Sequence, residues 1–167
     1  MRARAPPHER SIAYLCPVSH ARRAIFLDID GVLNSRAFVA SRDAAEWSEL
    51  IDPRAVARLN TLVRRSAAKI VITSSWRCHL PLARLEGILR AHGLTGEILG
   101  ATPRLPPNRG GEIQAWLDAA REPPEAFVIL DDVADMGHLD PHLVRTDWED
   151  GLLDAHVEEA LVRFGIA

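Results

Sequence analysis

Two aspartates, Asp28 and Asp30, sit two residues apart at the end of the apolar run Ala24-Ile25-Phe26-Leu27, and Gly31 follows at once. Carboxylates held that close repel each other unless a cation or a proton lies between them. Their oxygens are hard donors suited to magnesium or calcium, and a carboxylate can also act as a nucleophile or as an acid–base group. Gly31 lets the chain turn sharply and leaves room for a ligand against the backbone. The same Asp-x-Asp-Gly string occurs in ordinary turns and in calcium loops. A calcium loop needs further oxygen ligands and a glutamate downstream at fixed spacing. Val32 and Leu33 stand next in this chain, so that version fails. What remains is the outline of a metal-assisted reactive site.

Two later stretches repeat the arrangement of an apolar run that stops at polar groups. Lys69-Ile70-Val71-Ile72 ends in Thr73-Ser74-Ser75-Trp76-Arg77, and Ala126-Phe127-Val128-Ile129-Leu130 ends in Asp131-Asp132. Short apolar runs bounded by turn residues read as strands buried on both faces. A buried strand expels charge, so the polar groups belong at its carboxyl end. Strand alternation would then turn Asp28 and Asp30 to one side.

Helical patterns separate these runs. Asp52-Pro53 opens a helix, with Asp52 as N-cap, Pro53 at the first helical position and Val56, Leu59, Leu62 and Val63 as its apolar stripe. A second helix runs from about Pro81 to His92, with Leu82, Leu85, Ile88 and Leu89 inward and Gly93 as its stop. Glu97-Ile98-Leu99 reads as a short strand and Thr102 to Pro107 as a proline-rich loop. Asn108-Arg109-Gly110-Gly111 leads into a helix carrying Ile113, Trp116 and Leu117. His142-Leu143-Val144-Arg145 reads as a fifth strand, and Asp154 to Phe164 as a last helix closed by Gly165. Strands alternating with helices predict an α/β fold: a three-layer, Rossmann-like parallel sheet with helices on both faces. Ligands of such sheets bind beyond the carboxyl ends of the strands, where the strand order switches.

Composition agrees with one domain. The chain has 167 residues, a formal net charge of -3 and 47% hydrophobic residues, enough for a core without staples. Slight acidity gives no sign of bulk nucleic-acid affinity and leaves room for a local basic patch. Cys16 and Cys78 form neither a ligand cluster nor a disulfide framework, as expected of a reducing compartment. No apolar run is long enough to span a bilayer. Residues 1–22 are arginine-rich, and their apolar patch is broken by Cys16 and Pro17. They read as a leader or short arm ahead of a single domain over residues 23–167, with the cytoplasm as the default location.

Taken together, the motifs resemble the haloacid dehalogenase superfamily of phosphotransferases. Its first motif, Asp-x-Asp-Gly-[Thr/Val]-[Leu/Val] after a hydrophobic strand, is matched by Asp28 to Leu33; the second, a Ser or Thr ending a strand, by Thr73 or Ser74. Asp131 and Asp132 match the acidic fourth motif. More narrowly, Asp-Gly-Val-Leu-Asn, Ser-Ser-Trp-Arg and Arg-Gly-Gly-Glu-Ile resemble the phosphatase-like domains associated with "Swiss Army Knife" RNA-repair proteins. The third motif departs from the family. Its usual lysine is missing, because the chain's one lysine, Lys69, begins a strand at the wrong end. Arg109 is the better candidate, since a guanidinium can hold a phosphoryl group through two hydrogen bonds, and Arg77 is the fallback.

The resemblance implies a magnesium-dependent phosphatase. Asp28 would attack phosphorus and Asp30 would serve as acid, then base. Mg2+ would bind Asp28, the Asp30 main-chain carbonyl and Asp132, with Asp131 behind them. Thr73 or Ser74, backbone amides near Gly31, and Arg109 would hold the phosphoryl oxygens, with Asn34, Trp76 and Arg77 at the rim. Between Asn34 and Asp52 there is too little chain for a folded cap, so the site should be open. In this family an open site often goes with macromolecular substrates: a phosphorylated nucleic-acid end or nucleotide leads, and a phosphoprotein is the alternative. A catalytically inactive binding or scaffold module is the competing reading. Neither a membrane nor an obligate protein partner is indicated.

Other residues are assigned blander roles. Trp116 reads as core, and Trp76 and Trp148 as core or rim, with base stacking the minority reading. His138 and His142 read as surface residues, and Cys78 has no evident histidine partner. Asp147 to Gly151 reads as a solvated loop that could shape one edge of the cleft.

Overall fold

The computed structural model describes residues 23–40, 46–105 and 108–166. The arm read at residues 1–22 lies outside them, as do Cys16, Pro106 and Pro107. Five strands, β1 (Arg23–Leu27), β2 (Lys69–Ile72), β3 (Ile98–Ala101), β4 (Ala126–Asp131) and β5 (Leu143–Arg145), form one parallel sheet in the order β3-β2-β1-β4-β5. The order grows one way from β1 to β3 and then crosses back to β4. The switch point therefore lies at β1, between β2 and β4.

Strand alternation sorts the apolar residues onto two faces. Ile25, Leu27, Ile70, Ile72, Val128 and Leu130 face the larger cluster, completed by helices α2 (Pro53–Ser66), α3 (Leu82–Ala91) and α5 (Asp154–Arg163). Ala24, Phe26, Val71 and Ile129 face the other way, toward α4 (Arg109–Ala119) and the 3-10 turn Gly137–His142. Right-handed crossovers require this division: connections running outward and those running back must lie on opposite faces. Phe26 anchors the second face, with Trp116 and Phe127 edge-on at 5.4 Å each.

The helix boundaries follow capping chemistry. Asp52 accepts a hydrogen bond from the Arg54 N–H at 2.8 Å, and Pro53 fixes the first helical residue of α2. The chain between β1 and α2 contributes only the short helix α1 (Arg36–Ala40) and a 3-10 turn, Trp47–Leu50, among its described residues. No cap domain is present among the described residues.

Some boundaries move. The third strand is Ile98–Ala101 rather than Glu97–Leu99, because its ladder to β2 shifts register between Ile70 and Val71. Asn108 caps α4 through the Gly111 N–H at 2.8 Å, so Arg109, Gly110 and Gly111 form the first helical turn instead of a lead-in. The space explains it: a Cβ on Gly110 would meet the Met136 carbonyl oxygen at 2.3 Å. His142 closes the 3-10 turn and does not start β5. Nor is it a plain surface residue, since it is half-buried and stacked on Phe127 with ring centroids 4.0 Å apart.

Candidate active site

The sheet's register builds the centre of the site. Leu27 pairs with Ile72 on one side and Leu130 on the other, so the next residues in line are Asp28, Thr73 and Asp131. Backbone bonds continue the ladder past the strand ends: Asp28 N–H to Leu130 O at 3.0 Å and Thr73 N–H to Leu27 O at 2.8 Å. All three residues share the parity of Phe26, Val71 and Ile129 and so belong to the α4 face. The first turn of α4 delivers Arg109 to that place. Its Nη1 lies 3.1 Å from Asp28 Oδ2, 2.8 Å from Asp131 Oδ2 and 3.3 Å from Thr73 Oγ1.

Asp132 enters from the other side. One oxygen each of Asp28, Asp131 and Asp132 can be chosen so that all three lie within 4.8 Å of one another. Gly31 makes the approach possible, with φ at +69° and no Cβ; a Cβ there would meet Asp132 Oδ2 at 2.4 Å. Burial is the main reason the carboxyls hold their protons more tightly than usual. Asp28 is 4% exposed and Asp131 fully buried. Burial lifts Asp28 above its ordinary value against the opposing pull of Arg109, its own bond from the Ile29 N–H and one from Ser74. Asp131 is pushed up to about 7 by burial and by the Asp28 charge, while Arg109 and the Val133 N–H resist. Asp132 is raised too, chiefly by burial. For Arg109, burial works against the charge, but Asp28 and Asp131 outweigh it and keep the guanidinium protonated. One cation among three acids leaves a carboxylate excess. Hard oxygen donors gathered this closely could hold a hard metal cation.

Asp30 is held differently from the expected alternation. β1 ends at Leu27 and Asp30 lies in the turn that follows, so strand periodicity does not orient it. Its carboxylate accepts from the Trp76 indole N–H, 3.1 Å to Oδ1 and 3.0 Å to Oδ2, and from Asn34 Nδ2 at 2.9 Å. Asn34 also accepts the Gly31 N–H at 2.9 Å. The amide donor expected of Gly31 is therefore engaged, and what Gly31 gives the site is space.

Of the two second-motif hydroxyls, Thr73 meets Arg109 and Ser74 meets Asp28 while capping the 3-10 turn Ser75–Cys78. Both side chains are fully buried. Arg77, the fallback cation, faces elsewhere. Its guanidinium pairs with Glu112 and donates to the carbonyls of Thr73, Ser74 at 2.7 Å and Thr102 at 3.1 Å. It ties the carboxyl ends of β2 and β3 to α4. Lys69 pairs with Glu97 at 2.9 Å, away from the cluster. Trp76 is buried, whereas Trp148 is 41% exposed in the loop after β5, where its carbonyl accepts the Arg36 N–H at 2.7 Å.

Two contributors escaped the sequence reading. Thr146, buried just past β5, donates its hydroxyl to the Gly31 carbonyl at 2.7 Å and so pins the turn. The signal that marks Asp28, Thr73 and Asp131, a polar residue ending an apolar strand, marks Thr146 as well. Glu112 reads as an ordinary first-turn acid, and its pairing with Arg77 has no local signature.

A parallel sheet whose central strand ends carry these acids, facing a basic helix start, defines the haloacid dehalogenase class of domain. The family model described as the HAD domain in Swiss Army Knife RNA repair proteins matches residues 24–157, and the chain belongs to that family. Membership supports a phosphatase-like function of the haloacid dehalogenase type. No curated protein and no solved structure matches the chain significantly. Among the described residues, no helix is long and apolar enough to cross a membrane.

Proposed function

We propose that this chain is a magnesium-dependent phosphomonoester hydrolase that works through a phosphoryl-Asp28 intermediate. The observation that supports it is the convergence of Asp28, Asp131 and Asp132 beside Arg109 at the sheet's switch point. In this reading an Asp28 oxygen attacks phosphorus and the P–O bond to the leaving group breaks. Asp30 gives its proton to the departing oxygen. Asp30 then takes a proton from the water that attacks the phosphoryl group, and Asp28 is released as a carboxylate. Arg109 and the hydroxyls of Thr73 and Ser74 stabilise charge on the phosphoryl oxygens.

Magnesium, bound by Asp28, Asp132 and the Asp30 carbonyl with Asp131 behind them, would supply neutralising charge where three acids and a phosphate meet. Asp131, gripped by Arg109 and the Val133 N–H, suits that supporting place.

In this reading the capless site is open and takes a substrate larger than a small metabolite, with a phosphorylated nucleic-acid end as the leading class. Purified protein with magnesium should hydrolyse an aryl phosphate, and Asp28→Asn should remove the activity. A panel of 5′- and 3′-phosphorylated oligonucleotides, nucleotides and phosphopeptides should then show the oligonucleotides turned over fastest. Magnesium binding without turnover of any phosphate ester would instead support a binding module.

A further inference from the structure

We propose that Trp76 is the positioning residue for Asp30: its indole N–H grips both carboxylate oxygens and aims the acid at the leaving oxygen. The inference rests on the phosphatase reading above and adds a residue to it. Asp30 sits in a turn, half-exposed, on a side chain with two rotatable bonds. Nothing in β1 fixes its direction. The indole N–H lies 3.1 and 3.0 Å from its two oxygens, and Asn34 Nδ2 donates to Oδ1 at 2.9 Å from a second direction. One donor from the 3-10 turn after β2 and one from the loop that carries Asp30 itself define the plane of a carboxylate that the backbone leaves free.

The anchor is itself rigid. Trp76 is 2% exposed, belongs to the larger core cluster, and stands in a 3-10 turn capped by Ser74. An indole offers one donor and no acceptor, so it can hold the carboxylate in one sense only. It also carries no charge and therefore orients Asp30 without a full counter-ion. The same 3-10 turn follows directly on Thr73 and Ser74, so the aim of Asp30 is referred to the strand that presents the phosphoryl-binding hydroxyls. Misplacing a reacting group by ~1 Å costs about 10²-fold in rate.

The test compares two substrates in one preparation of the full chain with magnesium. A 4-nitrophenolate leaves without help, whereas an alkoxide needs the proton that Asp30 supplies. Trp76→Phe keeps the aromatic bulk and removes the N–H. It should lower kcat/KM for an alkyl phosphate by roughly 10- to 100-fold and leave that for 4-nitrophenyl phosphate within about twofold. The ratio of the two is independent of how much of the variant is folded, so a folding defect cannot imitate the result. Equal losses on both substrates would overturn the inference and leave the phosphatase reading standing; absence of wild-type turnover on either would overturn both. The contact has its own readout: in protein labelled at the tryptophan indole nitrogens, the resonance lost in Trp76→Phe should shift in Asp30→Asn. An unmoved resonance would show that the indole does not hold Asp30.

Discussion

Arg109 Nη1 stands 2.8 Å from Asp131 Oδ2, and the same nitrogen is 3.1 Å from Asp28 Oδ2. A single nitrogen thus joins the ends of two adjacent strands to the first turn of α4. In the proposed mechanism Arg109 takes the place a lysine usually holds in this class. Arg109→Ala should lower kcat on an aryl phosphate by about 10²–10³-fold, the usual loss for a donor to developing charge. Arg109→Lys should recover part of it, because a point charge can still reach a phosphoryl oxygen without the fork. Steady-state kinetics on both variants decides this; an alanine variant as active as wild type would remove Arg109 from the chemistry.

Gly110 determines whether Arg109 arrives. Its missing Cβ lets α4 press against the Met136 carbonyl, and its N–H faces the Asp135 carbonyl at 3.3 Å. Gly110→Ala should displace the helix start, cost about 1–3 kcal/mol of stability and reduce turnover more than Gly111→Ala, whose Cβ meets only the Asn108 side chain at 3.1 Å. Thermal melts and activity of the two variants, measured side by side, test the difference.

Arg77 and Glu112 make a buried pair whose side chains are 7% and 12% exposed. Arg77→Met leaves the Glu112 carboxylate without its cation and should cost roughly 3–5 kcal/mol. The double variant Arg77→Met, Glu112→Leu should regain most of that, since neither charge then remains buried. Denaturant unfolding of the two single variants and the double closes the cycle. Purely additive losses would show that the pair is not coupled.

Stability should also report the acidic cluster. Asp131 holds its proton up to about pH 7 in the folded chain, against 3.8 in the ordinary state, with burial the largest cause. A folded-state value raised above the unfolded one favours folding below the unfolded value, and that contribution fades as pH climbs through the folded value. In EDTA, the melting temperature should therefore fall between pH 4 and about pH 7. Magnesium should flatten the fall, because a bound cation favours the ionised carboxylates. A melting temperature that is pH-independent in EDTA and indifferent to magnesium would contradict the site as a cation centre.

How much of this was legible in the sequence depends on whether the signal was local. The ends of β1, β2 and β4 could be read because each apolar run stops at a polar residue, and the register then places Asp28, Thr73 and Asp131 in line. Asp52-Pro53 announced α2 through its own capping chemistry. The two glycines at the start of α4 gave no local sign of their role, since glycine normally weakens a helix; the Met136 carbonyl, folded against Gly110, explains that one. The partners of Asp30 and Arg77 were equally hidden. Trp76 is 46 residues from Asp30 and Glu112 is 35 from Arg77, distances over which periodicity carries no information.

The phosphoryl-enzyme is the most direct test of the whole account. Protein mixed with magnesium and an aryl phosphate, quenched in acid within the first turnovers and digested, should yield one peptide carrying an acid-stable, base-labile phosphoryl group at Asp28, and Asp28→Asn should yield none. Turnover with no phosphorylated Asp28 at any quench time, or with the group on another side chain, would contradict it.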